Sequence, residues 1–234
     1  MIEKYLSDPN FLNIYRFGSQ VYKTNSERSD EDFICIVGEK LPSIDINLHI
    51  YTKTEFQHFL DEHNIQMLEC FFLADEYKLK ETVKLNFSLN LNKLRSSIST
   101  VSNGSWVKGK KKLTVQADYN KYLGIKSIFH SLRILNFGLQ IAKIGKIYDY
   151  SAINNIWRNI LEISKDKEFF ELWESIEEKY KKEFNSLKSE FVSLCPKGYT
   201  KDDIKRQKLV ELLDSFGIQD ENLTNEIYSI FVKN

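Results

Sequence analysis

Gly18 and Ser19 are followed, after a gap of ten residues, by Asp30-Glu31-Asp32, which runs straight into the apolar stretch Phe33-Ile34-Cys35-Ile36-Val37. Acids one residue apart at the mouth of a strand share a face, because strand side chains alternate. Two carboxylates aimed at one spot repel each other unless a cation, usually Mg2+, lies between them. Gly18-Ser19 in turn ends a short apolar piece, Ile14-Tyr15-Arg16-Phe17. A small residue there lets the backbone approach a ligand, and free N–H groups in such a turn suit phosphate oxygens. A phosphate cradle beside a paired-carboxylate metal site is the equipment of phosphoryl or nucleotidyl transfer. Taken singly, Asp-x-Asp and Gly-Ser are ordinary loop and turn sequences. Their order and spacing carry the functional reading.

The elements that must position these residues follow from periodicity. Residues 1–12 read as a short helix or an extended lead-in, 14–17 as a first strand, 19–24 as a short helical segment and 32–37 as a second strand. Ile44 to Tyr51 alternates Ile44, Ile46, Leu48 and Ile50 against Asp45, Asn47, His49 and Tyr51, the pattern of a half-buried strand with a polar face. A helix capped by Thr52 or Thr54 is expected over 53–63. The run 65–73 fits strand or helix equally. From about residue 84 the character turns helical: 86–100, a polar loop over 101–113, then helices over 115–145, 149–164, 166–192, 200–215 and 219–232. The expected plan is α+β, with residues 1–84 as a small mixed-sheet domain and 85–234 as an all-helical domain.

Composition bounds the function. With 234 residues, 42% of them hydrophobic and 28% charged, the chain is long enough for a real core. Lys+Arg and Asp+Glu both number 33, so the broad positive excess of a protein that wraps long nucleic acid is missing. Cys35, Cys70 and Cys195 are widely spaced, without metal-ligand pairing. Together with the mixed-charge N-terminus and the lack of an 18-residue apolar stretch, this predicts a cytoplasmic protein with no membrane partner.

Gly18, Ser19, Asp30 and Asp32, with Ser29 before the first acid and Tyr22-Lys23-Thr24 in the gap, resemble the DNA polymerase β-like nucleotidyltransferases. Lys23 stands where that pattern often has a glycine. A narrower likeness, to small predicted nucleotidyltransferases of bacteria and phages, rests on Lys126, His130, Arg133, Gly138 and Gly145, with Gln140 in place of an acid. The two signatures span about residues 14–145. The resemblance implies a mixed-sheet nucleotidyltransferase domain, with NTP bound by Gly18, Ser19, Ser29, Lys126, His130 and Arg133. It also implies two Mg2+ ions, or Mn2+ in their place, on Asp30, Asp32 and a third acid from a neighbouring strand. Aligned by Tyr51 and Phe56, that third position is Asn47; Asp45, two residues earlier on the same face, is the favoured ligand after a small register shift, and Asn47 is the alternative.

Lys126, His130 and Arg133 share one helical stripe at i, i+4 and i+7. On periodicity alone this is a solvated face; the resemblance makes it a triphosphate seat. Lys108 and Lys110–Lys112 beside Trp106 read equally as a seat for a substrate phosphate or nucleic-acid end and as a solvated charge run. The resemblance suggests a structural ion pair between Glu69 and a Lys or Arg of the helical half. His49 is expected to be structural, and the arginine-to-histidine spacing of ribonucleases that accompany such enzymes is missing after Arg133. The expectation is Mg2+-dependent transfer of NMP from an NTP to a hydroxyl of an RNA end, a protein or a small molecule. The alternative is a nucleotide- or RNA-binding module on the same fold that has lost turnover.

Overall fold

Strand β1, Phe11–Phe17, is the pivot of the fold: it pairs antiparallel with β2, Asp32–Val37, on one side and with β4, Lys78–Glu81, on the other. Strand β3, Leu48–Thr52, adds to β2 in parallel and completes a four-stranded mixed sheet of order β3-β2-β1-β4. In this computed structural model the residues described are 2–27, 29–41, 47–198, 201–218 and 220–231. Asp45 therefore lies outside them.

The sheet separates two cores. A β-bulge between Phe11 and Asn13 puts Phe11 and Ile14 on the same face although they are three residues apart. They pack there with Phe33, Cys35, Val37 and Leu48 under the short helix α1, Glu3–Leu6, which contributes Tyr5. The opposite face, with Tyr15, Ile34 and Ile36, belongs to the larger core shared with the helices. Helices α2 (Ser19–Tyr22), α3 (Lys53–Asp61) and α4 (Ile65–Phe71) lie between the strands in sequence. Thr52 and Glu55 close a reciprocal capping box at the start of α3. The run 65–73, open between strand and helix, is the helix α4, started by the Asn64 side chain. The short edge strand β4 has no counterpart in the sequence reading; the buried amide of Asn13 holds the chain just beyond it, accepting from the Thr82 and Val83 amides.

Four helices follow: α5 (Leu91–Thr114), α6 (Lys121–Ile144), α7 (Asn154–Ile163) and α8 (Phe169–Leu194). The expected loop over 101–113 is a correction: those residues continue α5. Lysine is a good helix former, and Ser102, Trp106, Gly109 and Leu113 supply a buried stripe at helical spacing. Helix α6 is buried on nearly every side, as its apolar run through Ile125, Ile128, Leu132, Leu135 and Leu139 requires. Trp106 stacks on Phe184 at 4.5 Å and meets Trp173 edge-on, so it is a core residue and not a base-stacking platform.

Packing divides the described chain between Pro196 and Lys197. Residues before that point share the two cores above, and the passage from sheet to helices near 84–85 falls inside this unit. The second unit is a helical hairpin of α9 (Lys201–Ser215) and α10 (Glu221–Phe231), in which Leu213 and Thr224 are buried. Among the described residues no helix is long and apolar enough to cross a membrane.

Candidate functional site

The β1–β2 register places Phe17 opposite Asp32, so the turn that follows β1 meets the acid that begins β2. Gly18 has φ +80° and ψ −149°, a region essentially reserved for glycine. A Cβ on it would lie 2.8 Å from Asp32 Oδ2. The absence of a side chain at residue 18 is thus what lets the Asp32 carboxylate sit against the turn. At the other end of α2, Lys23 takes the left-handed conformation, φ +57° and ψ +38°, where the resemblance has a glycine. The carbonyls of Tyr22 and Lys23 accept from Asn154 Nδ2 at 2.8 and 3.4 Å, which fastens the turn to α7.

A cavity of about 490 Å3 opens here. That size suits a ligand of nucleotide dimensions, within the roughly 300–1,000 Å3 of small-molecule sites. Gly18, Ser19 and Asp32 line its sheet end; Lys126, His130 and Arg133 of α6 line its helical wall, with Tyr22, Glu69, Lys108, Tyr122, Phe129 and Trp157 among the remainder. Residues separated by about a hundred positions in sequence therefore face one space. Asp30 is exposed outside that lining, yet its charge reaches Asp32. Partial burial raises the Asp32 carboxyl above the usual carboxylate range; His49 and Lys126 pull it down, and Asp30 pushes it up.

Arg133 is 8% exposed, and its guanidinium lies 3.5 Å from the Tyr22 ring centroid. Its Nη2 donates to His130 Nδ1 at 2.7 Å, while its Nε is buried without a hydrogen-bond partner among the described residues. The Tyr22 hydroxyl donates to Glu69 Oε2, and Tyr150 donates to the Glu69 carbonyl at 2.6 Å. Burial pushes the Glu69 carboxyl up to about 7, opposed by Arg133 and by the Tyr22 hydrogen bond. Burial also pulls His130 down to about 3, helped by Arg133, Lys126 and Lys108, so the ring is neutral and its Nδ1 is free to accept. Arg133 thus serves a buried network as well as lining the cavity.

The other expected residues fall elsewhere. Ser29 closes a turn, its Oγ accepting from the Ser26 amide at 2.8 Å, and it is not in the cavity lining. Asn47 precedes β3, its carbonyl accepting from the Phe33 amide at 2.9 Å. Lys111 and Lys112 pair with Asp118 at 3.4 and 2.5 Å, and Lys110 lies over the Trp173 ring. These three lysines lie on helix α5, not on a loop, and none of them lines the cavity. Lys108 is the lysine of that run that reaches the cavity, in line with Val101 and Ser105 at helical spacing. Reading 101–113 as a helix would have found it. Gln140, in the place of an acid, accepts from the Tyr148 and Asp149 amides and donates to the Asp149 carbonyl. A carboxylate cannot do both.

The donor set fits a hard cation. Asp32 and Asp30 offer carboxylate oxygens whose mutual repulsion a divalent ion would relieve. Among the described residues no group of three or more His, Cys, Asp or Glu side chains gathers. Compared with protein-family models, curated proteins and solved structures, the chain has no match.

Proposed function

We propose that the chain is a nucleotidyltransferase that moves NMP from an NTP to a hydroxyl acceptor, an RNA end, a protein or a small molecule, with release of pyrophosphate. The observation that supports this reading is the meeting of Gly18 and Asp32 with Lys126, His130 and Arg133 around one nucleotide-sized cavity. In this reading Asp30, Asp32 and Asp45 would hold two Mg2+ ions, or Mn2+, which supply charge neutralisation and Lewis acidity at the α-phosphate. The Gly18-Ser19 turn holds phosphate oxygens. Lys126 and Arg133 offset negative charge on the leaving group as the acceptor oxygen–phosphorus bond forms and the bond to pyrophosphate breaks. The sheet and α2 form the nucleotidyltransferase half, and α5 to α8 close over the nucleotide.

Incubation of the full chain with Mg2+, each labelled NTP and a total-cell extract tests this. The wild type should release pyrophosphate and label one macromolecule or small molecule, and Asp30→Asn and Asp32→Asn should abolish both. Asp45→Asn should cut transfer by orders of magnitude and Asn47→Ala only modestly; the reverse ranking assigns the third ligand to Asn47. Wild-type turnover in Asp32→Asn sinks the reading. NTP binding without pyrophosphate release in the wild type makes the chain a binding module.

A further inference from the structure

Helix α9 carries apolar residues on more than one side. Leu213 is buried, and α9 packs against α10. Leu209, Leu212 and Phe216 follow one another at steps of three and four, so they form a separate stripe along the helix. Leu212 on that stripe is 54% exposed, and Phe216, at 72%, is the most exposed large hydrophobic side chain among the described residues. A helix pair of this length does not hold together well unaided, so leaving such a stripe in water weighs heavily on it. The turn between the helices fixes what lies beyond Phe216. The Ile218 amide donates to the Leu213 carbonyl at 3.0 Å and the Gly217 amide to the Asp214 carbonyl at 2.9 Å, with Gly217 at φ +75°. The Asp220 carboxylate then accepts from the Asn222 and Leu223 amides at 2.8 and 3.1 Å, which holds it at the start of α10.

Charge says what covers the stripe. Among the described side chains of the hairpin, the cations Lys205 and Lys208 precede Leu209, and the anions Glu211, Asp214, Asp220 and Glu226 follow it. A second α9 laid antiparallel on the first sets each basic end on the partner's acidic end, whereas a parallel one sets like charge on like. The antiparallel alignment also keeps the stripe in register. With Leu212 against the partner's Leu212, Leu209 falls against the partner's Phe216, and Lys205, four residues before Leu209, falls beside the partner's Asp220. Lys205 also interacts within its own chain, and an exposed charge of this kind changes partner at little cost. Under a two-fold operation every one of these contacts occurs twice, and the interface closes on itself without a stripe left over for a third copy.

We propose that this stripe is an interface with a second copy of the chain: two molecules form a two-fold dimer through antiparallel α9 helices, with Leu212 at the axis. The pairing goes beyond the nucleotidyl-transfer reading and stands or falls without it. The test is sedimentation of the full chain over a concentration series, for the wild type, Leu212→Glu, Leu212→Lys and an equimolar mixture of the two variants. The wild type should sediment as a dimer. Either variant alone removes two leucines from the interface and sets like charges across the axis, so each should dimerise about a hundredfold or more weakly. The mixture should regain the dimer, because the introduced acid of one copy then meets the introduced base of the other. Rescue on mixing separates lost pairing from a damaged fold, since neither substitution is reversed. Lys205→Glu should weaken the dimer about tenfold, through the two contacts with the partner's Asp220. A wild type that stays monomeric throughout the series, a dimer that survives both single variants, or a mixture that associates no better than its components overturns the proposal. Dimerisation unchanged by Lys205→Glu overturns the antiparallel orientation.

Discussion

Asp32 and Glu69 are carboxylates held in different ways, and each has a pH signature. Asp32 is raised by partial burial and by Asp30, so its charged form weighs against the folded state at neutral pH. Asp32→Asn should therefore unfold at a higher temperature than the wild type in the absence of divalent ions, measured by circular dichroism at pH 7, even though it loses transfer. Glu69 goes from an ordinary 4.5 to about 7 on folding. The folded state keeps a proton there that the unfolded state releases, so this contribution is full below 4.5 and lost as pH rises through about 7. His130 works the other way: lowered from 6.5 to about 3, it contributes fully above 6.5, and this is lost as pH falls toward 3. Because the two windows overlap, the wild-type profile alone mixes them. Glu69→Gln mimics the protonated acid, so its stability relative to the wild type should grow from pH 4.5 to 7 and then level off, read by urea unfolding at each pH. A difference that stays flat across that window would mean Glu69 is ionised throughout.

Helix α2 is the element on which the site turns. It spans Ser19–Tyr22, too short to be stable on intrinsic propensity, and it is fixed from outside by Asn154, by the Tyr22–Glu69 hydrogen bond and by the ring's contact with Arg133. Both of its flanking residues sit at positive φ, one a glycine and one a lysine. Gly18→Ala must adopt a conformation that only glycine tolerates and must push its methyl group into Asp32. It should lose about 1–3 kcal/mol of stability by denaturant unfolding and displace the Asp32 carboxylate, lowering NTP binding as well. Lys23→Gly, by contrast, relieves left-handed strain of about 1 kcal/mol. It should leave stability equal or higher, since glycine's own entropy cost is about 0.5–1 kcal/mol.

At the scale of the molecule, the sheet and α1 to α8 are stabilised by cores whose buried apolar members, among the described residues, lie between Ile2 and Cys195. A chain ending at Pro196 should consequently fold, give one cooperative thermal transition and keep the ligand binding of the full chain, since every cavity-lining residue precedes Pro196. Circular dichroism and NTP-binding calorimetry on the shortened chain check this. Loss of the transition would show that residues 197–234 complete the fold. The hairpin of α9 and α10 on its own has about the size at which single domains stop being stable without disulfides, metals or oligomerisation, so the isolated segment is expected to be largely unfolded.

Strand β2 and the helices α7 to α10 within a few residues could be read from periodicity, because alternation and the helical repeat are local properties of the chain. The Gly-Ser turn was legible too, but its reason was not. That Gly18 must be bare for Asp32 depends on the antiparallel register of β1 with β2, a contact across fourteen intervening residues. The stretch 101–113 reads as a loop because Ser102, Asn103, Gly104, Ser105 and Gly109 are locally poor helix formers. Burial of Trp106 and Leu113 against α6 and α8 overrode them and placed Lys108, but not Lys110–Lys112, in the cavity lining. Likewise a stripe of Lys126, His130 and Arg133 is identical in sequence whether it faces water or a site. Only the packing of α6 between the sheet and the neighbouring helices decides which, because that is a matter of long-range burial and not of the chain's own period.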